Sequence, residues 1–515
     1  LLALSFPKFG HPALAWIALT PLLVALARLP AGPRPYRRAF RLGLLTGVIY
    51  FAGTLYWLVE TMTTFGGLAT PVAIFATFML VAYLSLFPAA FALVMTRLRR
   101  ALGSTWAVML SPAVWVASEL GRQYVWDGFP WELLGYSQID TLPIAQIASV
   151  VGVYGVSGLL ALSSAAAAVI VVVPGRSRWA VPAGVAALVA ACALWGQARM
   201  HANALVAGGT PIRVAVLQGN IAQEDKWNPT LADSITNRYL SMTREALQQG
   251  ATFILWPESS TPFYFEQDIL RGSAIRRLAQ EAGATLLIGS DQIEPIRAAP
   301  PPLAAAPGEP RTYNAAFLVK PDGSTGAIYR KMHLVPFGEY VPLKRLLFFV
   351  GPIVEAVSAF TPGDVPVLLP IGERVASTAI CYEVIYASLI RQFVVDGSQL
   401  LTTITNDAWY GRTSAPYQHW DQAAMRAIEN GRYLARAANT GISGFVDPYG
   451  RVIAKSDMFT QAMLVKDLKF IETKTIYTRI GDVVAWLSLA LTAAAFLASF
   501  TFSFLPCLVS SFSCE

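Results

Sequence analysis

The sequence predicts a helical membrane domain that carries an α/β domain on its exported side, and three observations predict it. Of 515 residues, 55% are hydrophobic and only 14% charged, with a mean hydropathy of +0.48, an apolar bias well beyond that of ordinary soluble domains. Apolar stretches of bilayer-crossing length, ~20 residues, crowd into the first 200 positions and return near the end. Between them the composition changes to short β-branched runs alternating with charged, helix-patterned stretches. These shifts divide the chain into an N-terminal transmembrane domain over 1–200, an α/β domain over 210–474 and a C-terminal transmembrane helix over 482–508.

The expected spans run from about His11 to Leu29, Leu42 to Val59, Thr70 to Met95, Trp106 to Leu120, Ile144 to Val173, Val181 to Trp195 and Val483 to Leu505. The fourth and sixth are short for a bilayer. The opening "LLALSFPKFG" begins with Leu and reads like the tail of one more apolar helix, so about seven spans are present and eight expected. Orientation follows from basic residues, because loops rich in Lys and Arg stay in the cytoplasm. Arg28, Arg34, Arg37, Arg38 and Arg41 fill the first connection, Arg97, Arg99 and Arg100 the third, and Arg176 and Arg178 the fifth. The alternate loops are nearly free of positive charge, which sends the α/β domain to the exported side. The formal charge of +7 is largely this bias, and gives a nucleic-acid partner little support. "GLLALSSAAAA" in the fifth span suits close helix packing through small residues.

In the α/β domain, strands are expected over 212–218, 252–256, 285–289, 314–319, 375–381, 400–405 and 443–447, and helices over 231–249, 268–282, 383–395 and 417–439. Such alternation argues for sheets covered by helices. A Pro- and Ala-rich run over 295–310 reads as a surface loop. Two apolar segments, "TPFYF" (261–265) and "LLFFVGPIV" (346–354), are read as mobile arms that touch the membrane in preference to core.

Three strands end in a chemically capable residue: "ILWPESS" in Glu258, "AIYRKMH" in Lys331 and "TAICYE" in Cys381. The carboxyl edge of an α/β sheet is where ligands and catalysis gather. There a carboxylate can take a thiol's proton and later activate a second nucleophile. An ammonium can stabilise the oxyanion on an attacked carbonyl. Cys381 is also expected to open a helix, whose amides would lower the thiol pKa. Each residue taken alone has a plainer reading: Cys381 as buried packing, Glu258 as a cap, Lys331 as a solvated strand-end cation, and Glu339 and Glu383 as structural ion-pair partners.

Other constellations carry less. His11, His201, His333 and His419 have no ligand spacing with one another or with cysteine, so no metal and no cofactor is expected. His333 is expected to shape its loop, not to pair with Cys381. Cys192, Cys507 and Cys514 lie in or beside spans, leaving Cys381 the sole thiol of the exported domain, which argues against a disulfide framework.

Taken together and in order, "WPES", "YRKMHLVPFGEYVP", "ICYE" and "TNDAWYG" resemble the signature segments of the nitrilase superfamily. With the flanking spans, "FGG" (65–67), "GFPWELLGYSQ" (128–138) and "QGNIAQEDKW" (218–227), the chain is similar to its membrane-anchored branch, the apolipoprotein N-acyltransferases. That resemblance implies an α-β-β-α sandwich on a helical membrane domain. It implies Glu258 as general base, Lys331 as oxyanion stabiliser and Cys381 as nucleophile, with Glu339, Tyr382 and Glu383 in support. Trp227 and Trp409 would lie along the substrate path. It further implies a phospholipid acyl donor, a diacylglyceryl apolipoprotein acceptor, and a monomer in the bacterial inner membrane with its catalytic domain in the periplasm. A membrane-tethered amidase, in which water replaces the acceptor amine, would use the same three residues. An envelope scaffold with a degenerate domain would be expected to lack one of them.

Overall fold

The computed structural model describes residues 1–30, 33–126, 128–294, 310–336, 338–340 and 360–509. They form two compact units: residues 1–59, 69–202 and 480 onward make the first, and residues 60–68 with 203–479 the second.

The first unit is helical. Thr70–Leu102, Ala148–Val172, Arg176–Ala207 and Val483–Phe500 are long and apolar enough to cross a membrane, and Pro35–Leu55 joins Trp57–Phe65 across a 49° bend as a fifth candidate. The remaining expected spans correspond to a shorter apolar stretch, Pro12–Ala27, and to Ser104–Tyr124, which carries Glu119 and Arg122. Small residues bring helices close: a Cβ added at Gly43 or Gly47 would collide with Pro88, Ala89 or Ser85 of the facing helix. The stretch "GFPWELLGYSQ" folds back into this unit as coil and turn that end in a short 3-10 helix, Leu134–Gln138, whose leading amides need internal partners where water is absent. The amide of Leu134 donates to Glu119 Oε1 at 2.8 Å, that of Gly135 to Ser157 Oγ at 2.8 Å, and Tyr50 Oη donates to the Glu132 carbonyl at 2.5 Å.

The second unit holds two six-stranded sheets. The first has the order β12-β1-β2-β3-β4-β5 and the second β11-β10-β9-β8-β7-β6. The first sheet comprises β1 (Thr210–Gln218), β2 (Phe253–Leu255), β3 (Thr285–Glu294), β4 (Arg311–Val319), β5 (Thr325–Arg330) and β12 (Ala462–Phe470). The second comprises β6 (Leu369–Ile371), β7 (Arg374–Ile380), β8 (Leu400–Thr405), β9 (Leu434–Ala438), β10 (Gly444–Val446) and β11 (Val452–Lys455). Strands β1, β2 and β3 run parallel, as do β7, β8 and β9. Because β4 reverses on β3 and β5 reverses on β4, β5 points the same way as β3.

Helices Ala232–Gln248 and Ile269–Ala282 cover the first sheet over a core that includes Tyr239, Trp256, Ile275 and Phe317. Helices Ala387–Val395 and Ala415–Asn430 cover the second. Where the sheets face each other, Asn439 exchanges hydrogen bonds with Ile221 in both directions (3.0 and 2.8 Å), and Gln218 Oε1 accepts from Ser443 and Ser456. This is the α-β-β-α sandwich.

Several expectations need correction. The helix expected over 417–439 stops at Asn430, where Gly431 takes a left-handed C-cap (φ 62°), and Leu434–Ala438 is a strand buried between β8 and β10. Strand β5 is the strand that "AIYRKMH" was expected to form before Lys331, whereas β6, β11 and β12 were not expected. "TPFYF" is core for the most part: Phe263 and Phe265 are buried, Phe265 against Phe317 at 5.3 Å, because helix Ile269–Ala282 lies over them. The segment over 346–354 and nearly all of the loop over 295–310 fall outside the described residues. Cys381 opens a five-residue 3-10 turn, Cys381–Ile385, and the α-helix begins only at Ala387.

Candidate active site

Glu258, Lys331 and Cys381 each directly follow or lie within three residues of a strand end that points to the same edge of the sandwich: β2, β5 and β7. The turn after β2 is tightly fixed. Ser259 sits at φ 41°, Ser260 donates its amide to the Gly289 carbonyl at 2.7 Å, and a Cβ at Gly289 would run into the Pro257 carbonyl and Glu258 Cα.

Both oxygens of the buried Glu258 carboxylate are engaged. Oε1 accepts from Asn314 Nδ2 at 2.7 Å and Lys331 Nζ at 3.3 Å, and Oε2 from the Asn406 amide at 2.8 Å. Lys331 Nζ also donates to Glu339 Oε1 at 2.9 Å, and Asn314 Nδ2 bridges to that same oxygen at 3.0 Å. Glu339 Oε2 accepts from the Val335 amide at 2.8 Å, which ties the loop after β5 back on itself. One ammonium between two carboxylates is thus locked on all sides, with Lys331 only 1% exposed. Burial works against the charges of Glu258 and Lys331. For Glu258 the nearby Lys331 and Lys226 outweigh it and hold the carboxyl below the usual range; for Lys331 the carboxylates of Glu339 and Glu258 outweigh it and hold the ammonium above the usual range.

Cys381 is buried and adopts φ 53°, a left-handed conformation that costs a β-carbon residue about 1–2 kcal/mol. Such strain persists only where surrounding contacts enforce it. Two sets do. Glu383 Oε2 accepts from the Ile380 amide at 2.8 Å while Oε1 accepts from Tyr329 Oη (2.7 Å) and the amides of Met332 (2.6 Å) and His333 (3.1 Å). One side chain therefore clasps the turn after β7 to the chain that carries Lys331. Burial pushes the Glu383 carboxyl up to about 7, and its donors pull the other way. From behind, His419 Nε2 lies 3.1 Å from the Cys381 carbonyl, its Nδ1 3.0 Å from Asp407 Oδ1, and Arg436 donates to Asp407 Oδ2 at 2.9 Å. Burial opposes the Asp407 charge, yet Arg436 and His419 keep it ionised.

The thiol differs from expectation. Burial, then the negative charge of Glu258, push it up to about 12, and Lys331 only partly offsets them. No helix terminus lowers it. Removing its proton unaided at neutral pH would cost about 7 kcal/mol, so the carboxylate must take the proton as sulfur attacks.

Tyr382 and Tyr386 pack edge to face, 5.5 Å apart, with a hydroxyl contact of 3.2 Å, and His333 lies against Tyr386 at 4.3 Å. Trp227 and Trp409 are partly exposed; Trp227 meets Tyr264 at 5.8 Å, and Trp409 meets Phe65 of "FGG" edge-on at 5.9 Å. Sequence reasoning did not single out Asn314, Asp407 or Arg436, and it weighed His419 only as a metal ligand. "TNDAWYG" carried the signal for Asp407; nothing local marks the others. An open cleft of about 540 Å³ lies at the opposite edge, among the starts of β1, β3 and β7. Its arginines are already paired, Arg213 with Asp467 and Arg374 with Glu472, so it offers no comparable chemistry. Among the described residues no three of His, Cys, Asp and Glu gather as a metal site.

Residues 213–476 match the carbon-nitrogen hydrolase family, which makes the α/β unit an enzyme domain of the nitrilase superfamily. Residues 1–166 match the apolipoprotein N-acyltransferase N-terminal domain. An apolipoprotein N-acyltransferase of Geobacter metallireducens is 40% identical over 512 residues, covering 98% of this chain and 93% of that protein. One of Methylococcus capsulatus is 33% identical over 498 residues, covering 96% and 92%. The chain belongs to the apolipoprotein N-acyltransferase family. Among solved structures it is similar to an amidase from Nesterenkonia sp. AN1, at 23% identity and a TM-score of 0.38, over 53% of this chain and 94% of that one.

Proposed function

We propose that this enzyme moves an acyl chain from a phospholipid, through a thioester on Cys381, to the α-amine of the S-diacylglyceryl cysteine of an apolipoprotein. The observation that carries the reading is the buried Glu258–Lys331–Glu339 array, which shares its electrostatic surroundings with Cys381. Family membership supports the choice of donor and acceptor.

In the first half-reaction Cys381 Sγ attacks the sn-1 ester carbonyl carbon and its proton passes to Glu258. Lys331 stabilises the oxyanion. Collapse breaks the C–O bond, and the departing glycerol oxygen recovers the proton from Glu258, releasing a lysophospholipid. In the second, the acceptor's α-amine attacks the thioester carbonyl, Glu258 takes the amine proton, and collapse expels the Cys381 sulfur, which is reprotonated by Glu258. An amide remains. The covalent intermediate splits one hard transfer into two easier ones and requires ping-pong kinetics. Glu339 and Glu383 hold Lys331 and Cys381 in register, and Tyr382, Trp227 and Trp409 line the approach of the lipid chains. The arginine-rich first, third and fifth connections support an orientation in the inner membrane that puts the α/β unit in the periplasm.

The test is mass spectrometry of the purified protein after incubation with phospholipid, beside Cys381→Ala. A gain of one acyl chain on the Cys381 peptide, removed by hydroxylamine and absent from the variant, is expected. Adding a diacylglyceryl peptide with a free α-amine discharges the chain onto the peptide. Discharge to water alone would mark a hydrolase and not a transferase, and no adduct on folded protein would refute the lipid donor.

A further inference from the structure

Lys226 lies in the segment after β1 and has no role in the chemistry described above. It is 4% exposed, and among the described residues the one hydrogen bond of its side chain runs from Nζ to the backbone carbonyl of Glu258, at 2.9 Å. An ammonium carries three donors, and burying it with a single neutral acceptor is costly unless nearby charges compensate. Those charges are Glu258 and Asp291, with the Cys381 thiol beyond. Asp291, itself buried within β3, accepts from Ser259 Oγ at 2.7 Å. The strained Glu258–Ser259 turn is therefore gripped from two sides, by a cation on the carbonyl of one residue and an anion on the hydroxyl of the next.

The geometry points to Lys226 as a positioning residue for Glu258, a second active-site cation that hooks the backbone of the base and keeps its carboxylate ionised beside Cys381. The inference rests on the reading of Glu258 as general base. The groups facing Glu258 are Lys331 and Glu339 from the chain after β5, Asp291 from β3, Cys381 from the turn after β7, Tyr410 from the chain after β8, and Lys226 itself. Only two of these are cations. Burial lowers the Lys226 pKa to about 8, and the three negative or ionisable neighbours hold it up, so the charge is present at neutral pH.

The experiment follows Cys381 without any lipid, so that it does not depend on the donor. The full-length protein in detergent reacts with 2,2′-dithiodipyridine, a disulfide that remains reactive in acid, across the carboxylate titration range. The Cys381→Ala protein is subtracted as background because Cys192 is a second free cysteine. Loss of Lys226 charge should move the acid limb of this reaction upward by about one pH unit, the effect of removing one nearby opposite charge. Lys226→Met removes charge and hook; Lys226→Gln keeps a donor for the carbonyl and serves if the Met variant fails to fold. Lys226→Arg should leave the limb in place. A limb that stays put in folded Lys226→Gln overturns the inference while Glu258 stands. A limb that survives in Glu258→Gln instead removes Glu258 as the base, and the role of Lys226 falls with it.

Discussion

Replacing Glu383 by Gln is the most discriminating change outside the reacting groups, because it alters one atom of a clasp that joins two strand ends. The carboxylate faces four donors, three on Oε1 and the Ile380 amide on Oε2. An amide can serve the three with its oxygen, but its NH2 then points at the Ile380 N–H, donor against donor. A charge-assisted hydrogen bond is lost, about 1.5–3 kcal/mol, and a buried amide is left unpaired, about 1–3 kcal/mol. About 3 kcal/mol in all is a reasonable central figure, which for a domain of this size lowers the unfolding temperature by roughly 6 °C. Ile380 directly precedes the strained Cys381, so part of the cost falls on the nucleophile. If half of it does, acylation slows about tenfold. Thermal unfolding followed by tryptophan fluorescence, with the rate of acyl-enzyme formation by mass spectrometry, reads both effects. An unchanged melting temperature together with an unchanged acylation rate would refute the clasp.

Three further outcomes are expected. Gly289→Ala should push Glu258 out of place through its backbone and cut acylation by about 10²-fold, the usual price of an ångström of misplacement at a reacting group; acylation within twofold of the parent contradicts this. His419→Leu strips the Cys381 carbonyl of its partner and leaves Asp407 and Arg436 with an incomplete buried network, at a cost of about 3–5 kcal/mol in unfolding measurements, with His419→Gln recovering part. The third concerns pH. Glu258 is held below its unfolded pKa, so its ion pair contributes fully above about pH 4.3 and is lost as pH falls through the lower folded value. The melting-temperature difference between the parent and Glu258→Gln should therefore be flat from neutral down to about that pH and shrink below it. A difference that already collapses near neutrality would show the carboxyl to be raised instead.

Much of this was legible in the chain. Apolar length located the helical unit, and alternation of strands and helices located the sandwich, because both depend on local pattern. "WPES", "YRKMH" and "ICYE" put a carboxylate, an ammonium and a thiol at strand ends, and the strand ends are where the structure has them. Misreadings arose where the deciding contact is distant. "LARAA" has the composition of a helix, but between β8 and β10 it is a strand, because pairing on both sides outweighs a weak local preference. Phe263 and Phe265 read as a lipid-facing patch until Phe317 and the helix over them supply the cover.

The sequence by itself determined which chemical groups exist, that they follow strands, and that the chain lives in a membrane. Tertiary structure alone decided which groups meet and how they titrate. Asn314 bridges two carboxylates, Lys226 reaches the carbonyl of Glu258, and His419 reaches that of Cys381 across spans of chain that no local pattern links. It also decided that the thiol rests protonated, contrary to the helix-terminus expectation. Charge and hydrogen-bonding capacity are properties of a residue, whereas burial and the neighbours that compensate it exist only once the two sheets have closed on each other.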